Sequence, residues 1–115
     1  MTITVFGIAN CDSVRKARAW LVERRIEADF HDFKRAGVPP EGLDAWAAEL
    51  GWDALLNRRG TTWRRLDQAT RARAEADAAG ARALMLAEPS VIKRPVVDWH
   101  GRYTVGFDPA HWPPR

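Results

Sequence analysis

The sequence predicts an α/β fold: a four-stranded mixed sheet flanked by helices, in the order βαβ, helical insertion, ββ, short final helix. Three observations carry this expectation. A β-branched alternating run opens the chain, a helical pattern follows, and a second alternating run ends at residue 33. That succession is a βαβ unit with parallel strands. The next fifty residues are punctuated like helices, and two short apolar runs around a His-Gly turn come last as a hairpin.

Residues 2–6 alternate as a half-buried strand does, and Gly7 and Asn10 break the pattern. From residue 11 to about 25, Val14, Ala17 and Leu21 recur at helical spacing with Trp20 beside them, while Arg and Lys fill the opposite face. Asn10 is the expected N-cap, which puts Cys11 in the first turn. Residues 26–33 alternate again and read as the second strand. Gly37-Val38-Pro39-Pro40 then breaks the chain. Pro40 or Glu41 opens a helix with Leu43, Trp46, Ala47 and Leu50 on one face and Gly51 as its stop. A short helix over 52–56 is halted near Gly60. Asp67 is positioned to cap a helix through Ala76, and AEADAAGARALMLAE is helix-prone, because Leu84, Met85 and Leu86 need burial. Pro89 ends the helical part. Residues 91–97 are strand-like with Pro95 inside, His100-Gly101 centres the turn, and residues 103–107 return. Asp108-Pro109 reads as a cap followed by proline at the first helical position. One domain over 1–115 is expected, with the helical insertion at about 38–89.

At 115 residues, 46% apolar and 29% charged, the chain has the size and composition of a soluble globular domain. No apolar run approaches the roughly 18–20 residues of a membrane span, and MTITVFGIAN has no secretory leader pattern. A single cysteine excludes an internal disulfide and a thiolate-rich structural zinc site. No metal site is expected, and the location expected is the cytoplasm. The net charge of +3 is small, and basic and acidic residues are interspersed. The one basic concentration is NRRGTTWRR, with Arg58, Arg59, Arg64 and Arg65. A solvated helix–turn surface is its plainer account, ahead of nucleic acid; binding of a small anion is a third. The six tryptophans read as core and helix packing.

Cys11 is the residue with chemistry. A thiol at a helix start meets free backbone N–H groups and the positive end of the helix dipole, and both favour the thiolate. An oxyanion would bind at the same place. The alternative is an inert buried cysteine. Asp12 repels a neighbouring thiolate, so nearby arginines have to offset it. Val14 stands where a CxxC motif would carry its second cysteine, so any resolving thiol must come from outside, most simply glutathione. A cysteine hydrolase would need a histidine base beside the sulfur. His31, His100 and His111 read instead as surface or packing residues. Ser13 could donate a hydrogen bond to the thiolate, although a helix cap is its commoner role.

The stretches FGIANCDSVRKARAWL, ELGWDALLNRRGTTWRRLD and PSVIKRPVV, in that order, resemble the arsenate reductase-like (ArsC/Spx) family of the thioredoxin superfamily, and within it the YffB type. The resemblance implies a thioredoxin-like fold with Cys11 as nucleophile. It implies that Arg59, which precedes Gly-Thr-Thr-Trp, and Arg94 hold an anionic substrate, and that Pro95 is the cis-proline facing the cysteine. Asn10, Ser13 and Trp63 complete the expected substrate or glutathione site. Two guanidiniums would hold an oxyanion or a carboxylate and depress the thiol pKa. The chain departs from arsenate reductases in TVGFDPAHW, where Gly106 and Phe107 stand and no third arginine is present. The expected function is therefore a glutathione-dependent monothiol reductase, arsenate reductase-like, with no bound cofactor and glutathione as reducing cosubstrate. The alternative is a redox-silent, Spx-like regulator or interaction module that binds a protein partner.

Overall fold

A computed structural model describes residues 2–114. The chain divides into two compact units, one made of the residues up to Ala36 together with those from Arg94 onward, the other of Gly37–Lys93.

The first unit is the sheet. Strand β1 (Ile3–Gly7), helix α1 (Asp12–Glu23) and strand β2 (Ala28–Asp32) form the βαβ unit, and strands β3 (Val96–Asp98) and β4 (Tyr103–Val105) form the hairpin. The strand order is β2-β1-β3-β4, with β1 parallel to β2 and antiparallel to β3. The expected four-stranded mixed sheet is present. Residues 99–102 make the hairpin turn as the sequence suggests: His100 and Gly101 both take positive φ, and the Trp99 amide donates to the Arg102 carbonyl at 2.6 Å. One face of the sheet is covered by α1. Ile3, Val5, Ala17, Trp20, Leu21, Val97, Trp99 and Trp112 form a single buried cluster there. Trp112 meets Trp20 and Trp99 edge-on, with ring centroids 5.6 and 5.1 Å apart. Such pairs contribute about 0.5–1.5 kcal/mol each beyond the area they bury.

Four expectations shift in this unit. The second strand is 28–32 rather than 26–33, because Phe33 opens a short helix, α2 (Phe33–Ala36), that the Asp32 carboxylate caps by accepting from the Lys34 amide at 3.0 Å. The expected strand over 91–97 is only Val96–Asp98. Upstream of it, Pro89–Val91 is a 3-10 turn, and Ile92 forms an isolated antiparallel bridge with Leu56. The fourth strand ends at Val105, two residues early. The final helix is a single 3-10 turn at Pro109–His111.

The second unit is helical: α3 (Pro40–Leu50), α4 (Trp52–Leu55), α5 (Thr61–Arg65), α6 (Gln68–Ala76) and α7 (Ala78–Ala87). Pro40 occupies the first turn of α3, and Gly51 ends it with φ 87°. Asp67 caps α6 as expected, accepting from the Thr70 amide at 2.7 Å. The alanine-rich stretch is not one helix. Asp77 interrupts it and caps α7 by accepting from the Gly80 amide, also at 2.7 Å. Leu84 and Met85 are buried, whereas Leu86 is half-buried. Five of the six tryptophans are buried; Trp52 is half-buried.

Candidate active site

The site begins at the end of β1. A Cβ added to Gly7 would lie 2.6 Å from Cγ2 of Val14, so glycine lets the first turn of α1 approach the strand. Val14 is fully buried there. The helix starts one residue later than the sequence suggests. Cys11 itself, not Asn10, is the N-cap, with extended backbone (φ −135°, ψ 128°). The reason lies in the neighbours. The Asn10 side chain accepts from Arg15 Nη1 at 3.0 Å, and Arg15 also pairs with the Asp12 carboxylate. The Asn10 oxygen is turned to Arg15 rather than to a first-turn amide, and Cys11 takes the cap position.

The Cys11 sulfur therefore sits where a capping oxygen would. It is half-buried, and burial pushes the thiol pKa up. The Val14 amide, the Arg94 guanidinium through a hydrogen bond and its charge, and the Ser13 amide oppose this. The net effect holds the thiol below its ordinary value of 9.0. Ser13 is the second helical residue rather than a cap, and it serves through its backbone. The cation that offsets Asp12 is Arg15. The sequence reading left it unnamed, although acidic and basic residues three apart on a helix are the usual signal.

Arg94 comes from the chain just before β3. The Arg94–Pro95 peptide bond is cis, as the resemblance implies, and Pro95 is fully buried. The Pro95 carbonyl accepts from the Gly106 amide at 2.9 Å, and Gly106 has φ 86°. Left-handed backbone at this position favours glycine over any residue with a Cβ, so an arginine at 106 would be strained.

Arg59 and Trp63 belong to the helical unit. The Arg59 side chain is exposed and makes no hydrogen bond or ion pair among the described residues; its amide donates to Asn57 Oδ1 at 3.2 Å. Its neighbour Arg58 is held by Asp53 at 2.7 Å and Glu75 at 3.1 Å. Trp63 does not offer an open face. It is 6% exposed, with the Arg58 guanidinium 5.9 Å from its ring centroid. The NRRGTTWRR stretch is thus only partly the solvated surface expected of it. Of the proposed site residues, Ser13 and Arg94 act on the Cys11 thiol by lowering its pKa, Pro95 is next to Arg94 in the chain, and Asn10 bonds Arg15.

The histidines stand apart from this sulfur chemistry. His31 lies in β2 with Phe6 and Phe33 at centroid distances of 5.2 and 6.0 Å. His111 pairs with Asp108 at 2.8 Å, and His100 is exposed in the hairpin turn. Among the described residues there is no cluster of metal ligands, and no helix is long and apolar enough to cross a membrane.

Comparison with known proteins agrees with this geometry. Residues 6–113 match the ArsC family. The solved structure of a protein named YffB is 50% identical, covers 96% of each chain and superposes with a TM-score of 0.91. An arsenate reductase (ArsC) related protein from Brucella melitensis is 47% identical over 97% of this chain and 92% of its own, with a TM-score of 0.76. The global transcriptional regulator Spx of Streptococcus pyogenes serotype M6 is 27% identical over 92% of this chain and 78% of its own length. With the mixed sheet and the cysteine at the start of α1, these matches make the chain a member of the ArsC family, on a thioredoxin-like fold.

Proposed function

We propose that this chain is a glutathione-dependent monothiol reductase with Cys11 as its nucleophile. The observation that carries this reading is the position of the sulfur at a helix N-cap, where the Val14 and Ser13 amides and the Arg94 guanidinium lower its pKa and favour the thiolate. The Cys11 thiolate attacks one sulfur of an oxidised substrate. A bond forms to Cys11, and the other half leaves as a thiolate with the electron pair. Glutathione thiolate then attacks the substrate sulfur of the mixed disulfide, expels Cys11 as a thiolate and carries the first half away as its own disulfide. A second glutathione releases that half as a thiol and leaves glutathione disulfide. No bound cofactor or metal is needed, and a reducing cytoplasm would supply the cosubstrate.

In this reading Arg94 and Pro95 border the reacting sulfur, and Arg59 takes an anionic part of the substrate or of glutathione. The unpartnered side chain of Arg59 supports it over Arg58, whose charge is already met by two carboxylates. Asn10 acts by holding Arg15, and Ser13 acts through its amide. Trp63 supports the fold from inside the helical unit. A disulfide suits the site better than arsenate, because left-handed Gly106 stands in the region where arsenate reductases carry a third arginine.

The likeness to Spx supports a second reading, a redox-silent module that binds a protein partner. Val14 leaves no second thiol at the CxxC spacing, and its side chain is fully buried.

The test is the rate of Cys11 alkylation by iodoacetamide against pH, with and without glutathione. The expected midpoint lies below 9.0, and glutathione protects. A midpoint at or above the ordinary thiol value, together with a stoichiometric protein partner captured from lysate, would replace the reductase with the module.

A further inference from the structure

A groove of about 450 Å³ reaches Ala9 at one end, and its walls include Arg18, Phe30, His31, Asp32 and Arg35. All of its lining residues belong to the sheet unit, and Ala9 lies two residues before the nucleophile in the chain. Its walls combine flat apolar surface with positive charge. The Arg18 guanidinium lies 4.2 Å from the Phe30 ring centroid, a stacking that fixes its direction without neutralising it. Neither Arg18 nor Arg35 forms an ion pair among the described residues, whereas Arg15, Arg58 and Arg82 each do. The one acidic wall residue, Asp32, has a carboxylate oxygen engaged by the Lys34 amide. Two arginines against one aspartate leave a single positive charge, with His31 counted as neutral. That charge suits one carboxylate rather than a polyphosphate.

We propose that this groove is the substrate subsite and selects disulfides in which a carboxylate is carried on an aromatic or similarly flat apolar body. The proposal rests on the reading of Cys11 as nucleophile. The groove holds the half that becomes bonded to Cys11, its flat body along the Arg18–Phe30 stack and its carboxylate toward Arg18 and Arg35. Attack by the Cys11 thiolate forms the Cys11–substrate disulfide and expels the other half as a thiolate.

The chain has one cysteine, so coloured aromatic disulfides report on it alone. The experiment compares the rate with dithiobis(nitrobenzoate), each half an aromatic carboxylate, to the rate with uncharged dithiodipyridine. The ratio of the two is taken for wild type, Arg18→Gln, Arg35→Gln, the double variant, and Lys16→Gln, which removes one charge outside the groove. The ratio is expected to fall about five- to tenfold in the double variant, as loss of local electrostatic steering does, and to fall partway in each single variant. The fall should exceed that of Lys16→Gln and shrink at high salt. An unchanged ratio in the double variant, or one matched by Lys16→Gln, overturns the subsite. Failure of the nucleophile reading shows separately, as an iodoacetamide midpoint at or above the ordinary thiol value.

Discussion

Arginine is used differently in the two units. In the helical unit it is a fastener. Arg58 ties α4 to α6 through Asp53 and Glu75, and Arg82 on α7 grips Asp44 on α3 at 2.7 Å. These guanidiniums are spent on carboxylates of the same unit. In the sheet unit, Arg94 is turned to the Cys11 sulfur, Arg18 lies over a ring, and Arg15 answers Asp12. The same residue type therefore holds helices together in one region and shapes a reactive thiol in the other. What separates the roles is the partner: carboxylates on other helices for Arg58 and Arg82, a ring for Arg18, and a carboxylate three residues away on the same helix for Arg15.

The comparison breaks most directly at the sulfur. Cys11→Ser should reduce turnover of any disulfide substrate to background while circular dichroism and Tm stay near wild type, since the thiol is half-buried and a hydroxyl also serves an N-cap. Retained turnover would remove the nucleophile. The helical unit should instead fail by packing. A Cβ on Gly80 would lie 1.9 Å from the Arg73 carbonyl oxygen, so Gly80→Ala forces α6 and α7 apart. The expected loss is about 3 kcal/mol in denaturant unfolding, and a loss below about 1 kcal/mol would mean the helices have slack.

Arg94→Ala should raise the Cys11 midpoint toward 9.0 and slow alkylation at neutral pH roughly tenfold, with Arg94→Lys falling between. An unmoved midpoint would assign the thiolate to the helix amides alone. Next comes the neighbouring pair in the helical unit. Arg58→Ala should lower stability by about 0.5–1 kcal/mol, discounted because the side chain is 36% exposed. Arg59→Ala should leave Tm within a degree or two of wild type but weaken use of glutathione. If their effects are reversed, Arg58 is the anion-binding residue.

The smallest expected effect is in the pH dependence of stability. The folded thiol ionises below its unfolded value, so this linkage favours the folded state, fully so above the ordinary thiol range. The contribution disappears as pH falls through the lowered midpoint. The stability gap between wild type and Cys11→Ser should therefore shift in favour of wild type as pH rises. A flat gap would mean that folding leaves the thiol unperturbed.

Much of this was legible in one dimension. The βαβ unit followed from alternation and helical spacing in the first 33 residues. The Asp67 cap and the Gly51 stop were visible because each acts within a few residues of itself. The cysteine was legible for the same reason. The cap at Cys11 was misplaced by one residue, because Asn10 is a better cap than cysteine until Arg15 reaches back and occupies it. The strand expected over 91–97 was overextended, because Ile92 bridges Leu56 instead of joining the sheet. Asp77 was overlooked as a cap because strong alanine propensity on both sides masks a break.

The sequence by itself determined the α/β class, the helix that presents a lone thiol at its start, and the absence of a second thiol at the CxxC spacing. All of these rest on spacing and residue type along the chain. Only the tertiary structure decided which cation sets the thiol. Arg94 is 83 residues from Cys11 in the chain and acts on the sulfur because β3 pairs antiparallel with β1. The groove walled by Arg18, Phe30 and Arg35 has the same origin. Its residues come from α1, β2 and α2, and their convergence depends on how the helices sit against the sheet, which no local pattern encodes.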